Sequence, residues 1–171
     1  MAVTDTPRPG RVTAEQFLAS PDDFPVHSQL VQGQIIVSEP DVYHQRVRDR
    51  LHRCIDRWAT SHTGRGEVLS PLDVPIDSWN VFAPNVLWFS EARRPARGAR
   101  RLDSPPDLAV EVRSRSTWRY DLMVKLPRYD GRGYRSCGLS TPRARRCSCT
   151  GAPSRPRRSS TRCSSWAKAK R

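Results

Sequence analysis

The chain has 171 residues, 30 of them Lys or Arg and 17 Asp or Glu, for a formal net charge of +13. The charge is unevenly placed: the last acidic residue is Asp130, and Gly131 to Arg171 carry 12 basic residues and no acidic one. Residues 1–130 are therefore nearly neutral, and the overall charge gives no ground for assigning them a nucleic-acid partner. No apolar run is long enough for a membrane span or a secretory signal, so no membrane partner is expected and the expected compartment is the cytoplasm.

In chain order, Thr13 to Gln16 has the Thr-x-x-Gln pattern of a capping box, opening a short helix that buries Phe17 and Leu18 and stops before Pro21. Leu30 to Val37 reads as a β-hairpin turning at Gln32-Gly33, although Gln is less suited than Asn or Asp to a positive φ. Val47, Leu51, Cys54, Ile55 and Trp58 recur at helical spacing and predict one amphipathic helix from Asp41 to Thr60. Beyond Gly64 and Gly66, the alternation of Val68, Ser70, Leu72, Val74 and Ile76 predicts a single strand, edge-like because of Pro71 and Pro75. VFAPNVLWF and PDLAVEV predict two further, more buried strands. A last helix, capped by Ser116 or Thr117, carries Tyr120, Val124 and Tyr129, with Pro127 expected to kink or end it. The order predicts an α/β fold, one mixed sheet with flanking helices.

The segment from 131 to 171 has one Leu, two aromatic residues, and no Val or Ile, so it cannot offset the entropy of ordering and is expected to be a disordered basic tail. Four of the five cysteines lie in it, but Cys147 and Cys149 are one residue apart and no His follows His62, so neither a zinc site nor a disulfide framework is indicated. Free thiols are expected.

Glu111 stands mid-strand among Leu108, Val110 and Val112, where a carboxylate is costly unless paired or bound to a metal. A solvated Glu, or one paired with Arg113 across the pleat, is the alternative.

Together these residues resemble the Uma-type family of restriction-endonuclease-like proteins, a branch of the PD-(D/E)XK nuclease superfamily. The resemblance rests on TAEQF, QLVQGQIIVSEP followed by HQRV, EVLSPLDVPID, APNVLWFS, PDLAVEVRSRSTWRYD, and Lys125 with Tyr129, and it covers about residues 11 to 130. It implies a restriction-endonuclease-like sheet core, a nucleic-acid substrate, DNA ahead of RNA, and a divalent cation, Mg²⁺, to activate water and neutralise phosphate charge. A homodimer is left open.

By the same resemblance, Glu111 matches the carboxylate of the second acidic strand, a metal ligand, and Lys125 the lysine of the following helix, which would stabilise the phosphate or orient water. His44 begins the HQ motif. Asp121, one turn before Lys125, forms an i,i+4 pair with it or joins the site. Two positions depart from the family. Asn85 stands where Pro-Asp is expected, and Gln29 where Glu-Leu-x-x-Gly would supply an acid, so both charges are gone. Arg113 and Arg115 replace apolar or small residues beside Glu111. Hydrolysis is therefore expected to be impaired or absent.

The family continues with a Trp-Leu-Val-Asp-Pro strand and a strand ending Val-Tyr-Arg, neither of which stands here. Read one base out of frame, Gly133 through Pro142 permits Val-Pro-Glu-Leu-Trp-Leu-Val-Asp-Pro, and Arg146 through Gly151 permits Val-Leu-Val-Tyr-Arg. The expectation is a frameshift between about Tyr129 and Tyr134, with residues 11–130 a partial domain whose C-terminal strands are lost. Two other classes stay open: a remnant without enzymatic function, and a nucleic-acid-binding protein that uses its basic tail.

Overall fold

The computed structural model describes residues 10–99, 102, 105–114, 118–131, 136–140 and 147–151, and for Trp118 and from Asp130 onward only the backbone. Helix α1 (Ala14–Ala19) starts where the sequence places it. Thr13 Oγ1 accepts from the Gln16 backbone N–H at 3.2 Å, and Gln16 Oε1 accepts from the Thr13 N–H at 2.9 Å. Strands β1 (Ser28–Val31) and β2 (Gln34–Val37) form the hairpin. Gln32 and Gly33 take φ of 53° and 76°, the paired positive values of a tight hairpin turn. Gln32 tolerates this because its N–H is held by Asn80 Oδ1 at 2.8 Å.

Helix α2 (Val42–Thr60) is capped by Asp41, whose side chain accepts from the His44 N–H. Its inner face, Leu51, Ile55, Trp58 and Ala59, packs on Val68, Val86 and Val110. Cys54, expected on that face, is exposed instead, because it sits a step around the helix from the Leu51 and Ile55 row.

Two expected strands are each split. Val68 to Ile76 becomes β3 (Glu67–Leu69) and β4 (Val74–Asp77), and Val81 to Phe89 becomes β5 (Asn80–Phe82) and β6 (Val86–Phe89). In both cases a proline, Pro71 or Pro84, lies in the gap, where it cannot donate to a ladder and the chain changes sheets. The single sheet expected is consequently two. One has the order β2-β1-β5-β4, the other β3-β6-β7-β8-β9, with β7 at Leu108–Val112. As expected, β3 and β4 are edge strands.

The last helix, α3, runs through Trp118–Tyr120, a π-helical stretch Asp121–Lys125, and Leu126–Gly131. Pro127 does not end it. The Leu126 N–H reaches back to the Asp121 carbonyl, and the widened turn just before the proline relieves the clash its ring would otherwise make. The expected Ser116 or Thr117 cap lies outside the described residues.

The C-terminal strands expected to be lost require a correction. Within 131–171, β8 (Ser136–Ser140) pairs parallel to β7, and β9 (Cys147–Gly151) pairs antiparallel to β8. Ladder bonds are made by main chain, so an open edge of β7 can be satisfied by a segment of almost any composition. The remainder of the expected basic tail lies outside the described residues.

The core is layered. Phe82, Leu87, Phe89, Ala109, Val124 and Tyr129 fill the space between the two sheets and α3, while α2 covers the opposite face of the five-stranded sheet. Phe17 of α1 packs on the outer side of the smaller sheet against Leu30 and Val81. No helix among the described residues is long and apolar enough to cross a membrane.

Gly66 locks the entry to β3. At φ +80° an added Cβ would lie 1.8 Å from the Phe89 carbonyl oxygen, whereas at Gly64, φ +82°, the same atom meets open space. Gly64→Ala should cost about 1 kcal/mol of unfolding free energy from backbone strain alone. Gly66→Ala should cost about 3 kcal/mol or more, because backbone must move. Denaturant titration of the two variants checks the difference; equal losses would mean that the Phe89 contact is not the constraint.

Candidate active site

Alternation along β7 sends Ala109 and Glu111 toward the space shared by the two sheets, and Leu108 and Val110 toward α2. Glu111 is thereby buried, at 3% exposure. Its Oε1 accepts from Tyr129 Oη at 2.7 Å and from Lys125 Nζ at 3.2 Å. Lys125 Nζ also lies 2.9 Å from Asp121 Oδ1, and both of those residues are 2% exposed. One ammonium is thus held between two buried carboxylates, 5.8 Å from the centre of the Phe82 ring. The ring of Tyr129 meets Phe82 edge to face at 5.6 Å, which fixes the direction of its hydroxyl.

Burial pushes the Glu111 carboxyl up to about 7, with the Asp121 carboxylate adding to the effect and Lys125 and Tyr129 opposing it. For Lys125, burial disfavours the ammonium, but the two carboxylates outweigh it and hold the lysine above its ordinary value. Lys125 therefore stays charged, while the Glu111 carboxyl is held well above the ordinary carboxylate range.

Strands β6 and β7 are antiparallel with Val86 opposite Val110 and Leu87 opposite Ala109, and continuing that register sets Asn85 opposite Glu111. The two positions expected to hold a cation are therefore cross-strand neighbours. Asn85 Oδ1 accepts from the Val112 N–H at 2.7 Å. The Val112 carbonyl lies 3.0 Å from His44 Nε2, so a neutral imidazole donates there and its Nδ1, buried, has no hydrogen-bond partner among the described residues. Burial lowers the His44 pKa, only partly offset by the Val112 carbonyl, in keeping with a neutral ring. Gln29 Oε1 accepts from the Ala83 N–H at 3.1 Å, tying the first sheet to the crossover that carries Asn85.

Gln29, His44 and Asn85 also line a groove of about 590 Å³ with Phe24, Asp73 and Arg48. Asp73, whose carboxyl is raised by burial, was not singled out by the sequence. Neither was Tyr129 as the partner of Glu111; its place four residues beyond Lys125 on one helix was the available signal. Glu111, Lys125 and Asp121 do come together. Arg113 is exposed, and the partners of Glu111 are Lys125 and Tyr129 rather than Arg113. Arg115 lies outside the described residues.

The donors present fit a hard divalent cation poorly. Mg²⁺ needs several oxygen ligands, including carboxylate. Here Glu111 Oε1 is already taken by an ammonium and a phenol, Asn85 is neutral, and its oxygen faces a backbone N–H. Among the described residues no cluster of three or more His, Cys, Asp or Glu could hold a metal ion.

A sheet with a buried Glu on one strand and a Lys on the helix that follows is what the family resemblance implied for a restriction-endonuclease-like nuclease fold. A family model described as "Uma2: Putative restriction endonuclease" matches residues 14–162, and the chain belongs to that family. The match runs past residue 130 into the basic segment. The fold is shared with a solved structure described as a putative nuclease belonging to DUF820 from Anabaena variabilis ATCC 29413. The TM-score is 0.70 at 16% identity, over 84% of this chain and 82% of that one. No curated protein matches the chain.

The raised Glu111 carboxyl makes stability depend on pH. The unfolded group releases its proton near 4.5 and the folded one near 7, so across that interval the native state binds the additional proton. The contribution of this group is complete below 4.5 and is lost as pH rises through about 7. The slope is at most about −1.4 kcal/mol per pH unit. Unfolding titrations at the two ends of the interval should show this loss in the wild type and not in Glu111→Gln; parallel pH profiles would refute it.

Proposed function

We propose that the protein acts on the phosphodiester backbone of nucleic acid, DNA ahead of RNA, and that its hydrolytic step is impaired because the cation position has lost its charge. Family membership supports the substrate class. The observation that carries the impairment is Asn85, set opposite Glu111 with its oxygen turned to the Val112 N–H. In hydrolysis, water attacks phosphorus, the P–O bond to the departing nucleotide breaks, and that oxygen takes up a proton. Glu111, with Lys125 Nζ 3.2 Å from its Oε1, is the carboxylate of the site, and Lys125 would stabilise the phosphate or orient the attacking water. A Mg²⁺ ion, if bound, would supply charge neutralisation at the phosphate, with Glu111 the residue nearest to a ligand role.

Asn85→Asp should raise the rate of Mg²⁺-dependent nicking of supercoiled plasmid at least about tenfold over the wild type. Glu111→Ala introduced into that variant should abolish it. A wild type that already cuts as fast as Asn85→Asp would sink the impairment, and equal inactivity of all three would favour a remnant without enzymatic function.

We further propose that Gly131 to Arg171 is the out-of-frame reading of the family's last strands. Supporting this, the two out-of-frame matches fall at Gly133–Pro142 and Arg146–Gly151, and the structure has strands at Ser136–Ser140 and Cys147–Gly151. Resequencing the gene across the codons for Tyr129 to Tyr134, from independent material, should reveal a one-base difference that restores Trp-Leu-Val-Asp-Pro. An unchanged read would mean that the basic segment is the chain's own.

A further inference from the structure

On its outer face α2 carries Arg46, Arg50, Arg53 and Arg57, spaced by four, three and four residues, and all four are exposed. At about 100° per residue they fall within an arc of about 60°, opposite the face that Leu51, Ile55 and Ala59 pack on the sheet. None of the four makes an ion pair among the described residues, whereas Arg48, Arg93, Arg94 and Arg128 each do. Exposed arginines on a soluble helix commonly find i,i+4 carboxylates. Here the neighbouring Asp49 is instead held by Arg48, through Nε at 2.9 Å and Nη2 at 2.7 Å, and Asp56, the other acid of α2, is salt-bridged to none of the four among the described residues, which leaves the row with an excess of positive charge.

The row is also continuous with the candidate site. Arg53 enters a recess of about 200 Å³ whose other walls are Arg48, Asp49, His52, Ser70 and Asn85. That recess is of the size of a phosphate group with its waters. It offers guanidinium, imidazole, hydroxyl and amide groups, with the one carboxylate, Asp49, already engaged by Arg48. Its far wall, Asn85, is the cross-strand neighbour of Glu111.

We propose that the outer face of α2 is the surface on which the backbone of duplex DNA docks, with one phosphate seated in the Arg53, His52, Ser70 and Asn85 recess. This rests on the nucleic-acid reading above and adds where and how the substrate is held. From Arg46 to Arg57 the row spans about 16 Å of helix, a length over which a duplex presents on the order of ten phosphate charges, at about one per 1.7 Å of its axis. No Phe, Tyr or Trp stands between Arg46 and Arg57, so the face lacks the stacking platforms on which single strands bind, and it carries no base-reading pattern. Arg recognises phosphate through paired N–H donors, which Gln cannot reproduce with charge.

The test uses the full chain, EDTA, and a fluorescently labelled duplex whose binding is followed by anisotropy over a range of NaCl concentrations. The combined variant Arg46→Gln, Arg50→Gln, Arg53→Gln and Arg57→Gln should lose about a hundredfold or more in affinity at physiological salt. Its slope of log affinity against log salt should become shallower by about three to four. Its circular dichroism should match the wild type, since all four side chains are exposed. Phenylglyoxal modification read by mass spectrometry should show the duplex protecting Arg50, Arg53 and Arg57. Because the segment after 130 is also basic, a second variant changes Arg155, Arg157, Arg158 and Arg162 to Gln and removes equal charge. A wild-type slope in the α2 variant, with protection confined to residues beyond 130, overturns the proposal. So does tighter binding of a single strand of the same length. Binding is read without Mg²⁺, so an α2 effect with no cleavage by Asn85→Asp would fail the nuclease reading alone. Cleavage without an α2 effect would fail the docking surface alone.

Discussion

The structure turns on one buried ammonium. Lys125 is nearly sealed from solvent between Glu111 and Asp121, and taking those ions out of water costs several kcal/mol each unless every charge is met. The arrangement that meets them is geometric before it is chemical. β7 must present Glu111 to the inter-sheet space, and α3 must lie across that space with Asp121 and Lys125, one turn apart, on its inward face. Phe82 and Tyr129 then close the pocket, and Tyr129 spends its hydroxyl on the same carboxylate oxygen. The apolar layer and the charge cluster are thus one unit: the packing excludes water from the charges, and the charges set which face of α3 turns inward.

A second constraint is the crossover between the sheets. Ala83, Pro84 and Asn85 carry the chain from β5 to β6, a place where three backbone groups would lose their ladder partners. Gln29 caps the Ala83 N–H, Asn85 caps the Val112 N–H, and His44 meets the Val112 carbonyl. Residues that sequence reasoning places in a catalytic constellation are also those that hold the joint next to Glu111. Their positions in the groove follow from that work, since a side chain bonding to main chain at the end of β7 is brought to the mouth of the site.

What the sequence revealed and what it hid follow from which signals are local. The capping box at Thr13, the Gln32-Gly33 turn and the amphipathic row of α2 depend on neighbours three or four residues away, and each stands where periodicity puts it. Splitting the strands at Pro71 and Pro84 depends on which sheet each half joins, a long-range choice that alternation does not encode. The proline was visible, but its meaning was not, because an edge strand tolerates a proline as readily as a break does. At the site, Glu111 was conspicuous as a carboxylate in an apolar strand, whereas Asp121 with Lys125 looked like a surface ion pair. Only burial distinguishes the two cases: an exposed pair is worth a few tenths of a kcal/mol, whereas in a buried one the loss of either partner leaves an unmet charge.

The neutral residues at positions 29 and 85 show how architecture and chemistry can separate. An amide oxygen accepts a hydrogen bond from a backbone N–H much as a carboxylate oxygen does, and both amides here are used that way. Exchanging carboxylate for amide therefore leaves the crossover satisfied and removes only the negative charge. A cation depends on that charge far more than the crossover does, since the joint needs one lone pair from each side chain and Mg²⁺ needs several oxygens with net negative charge. Under the proposed reading, a chain can keep the sheets, the buried Lys125 and the groove of its family while the hydrolytic step weakens, because the interactions that fold the site are not the ones that would charge it.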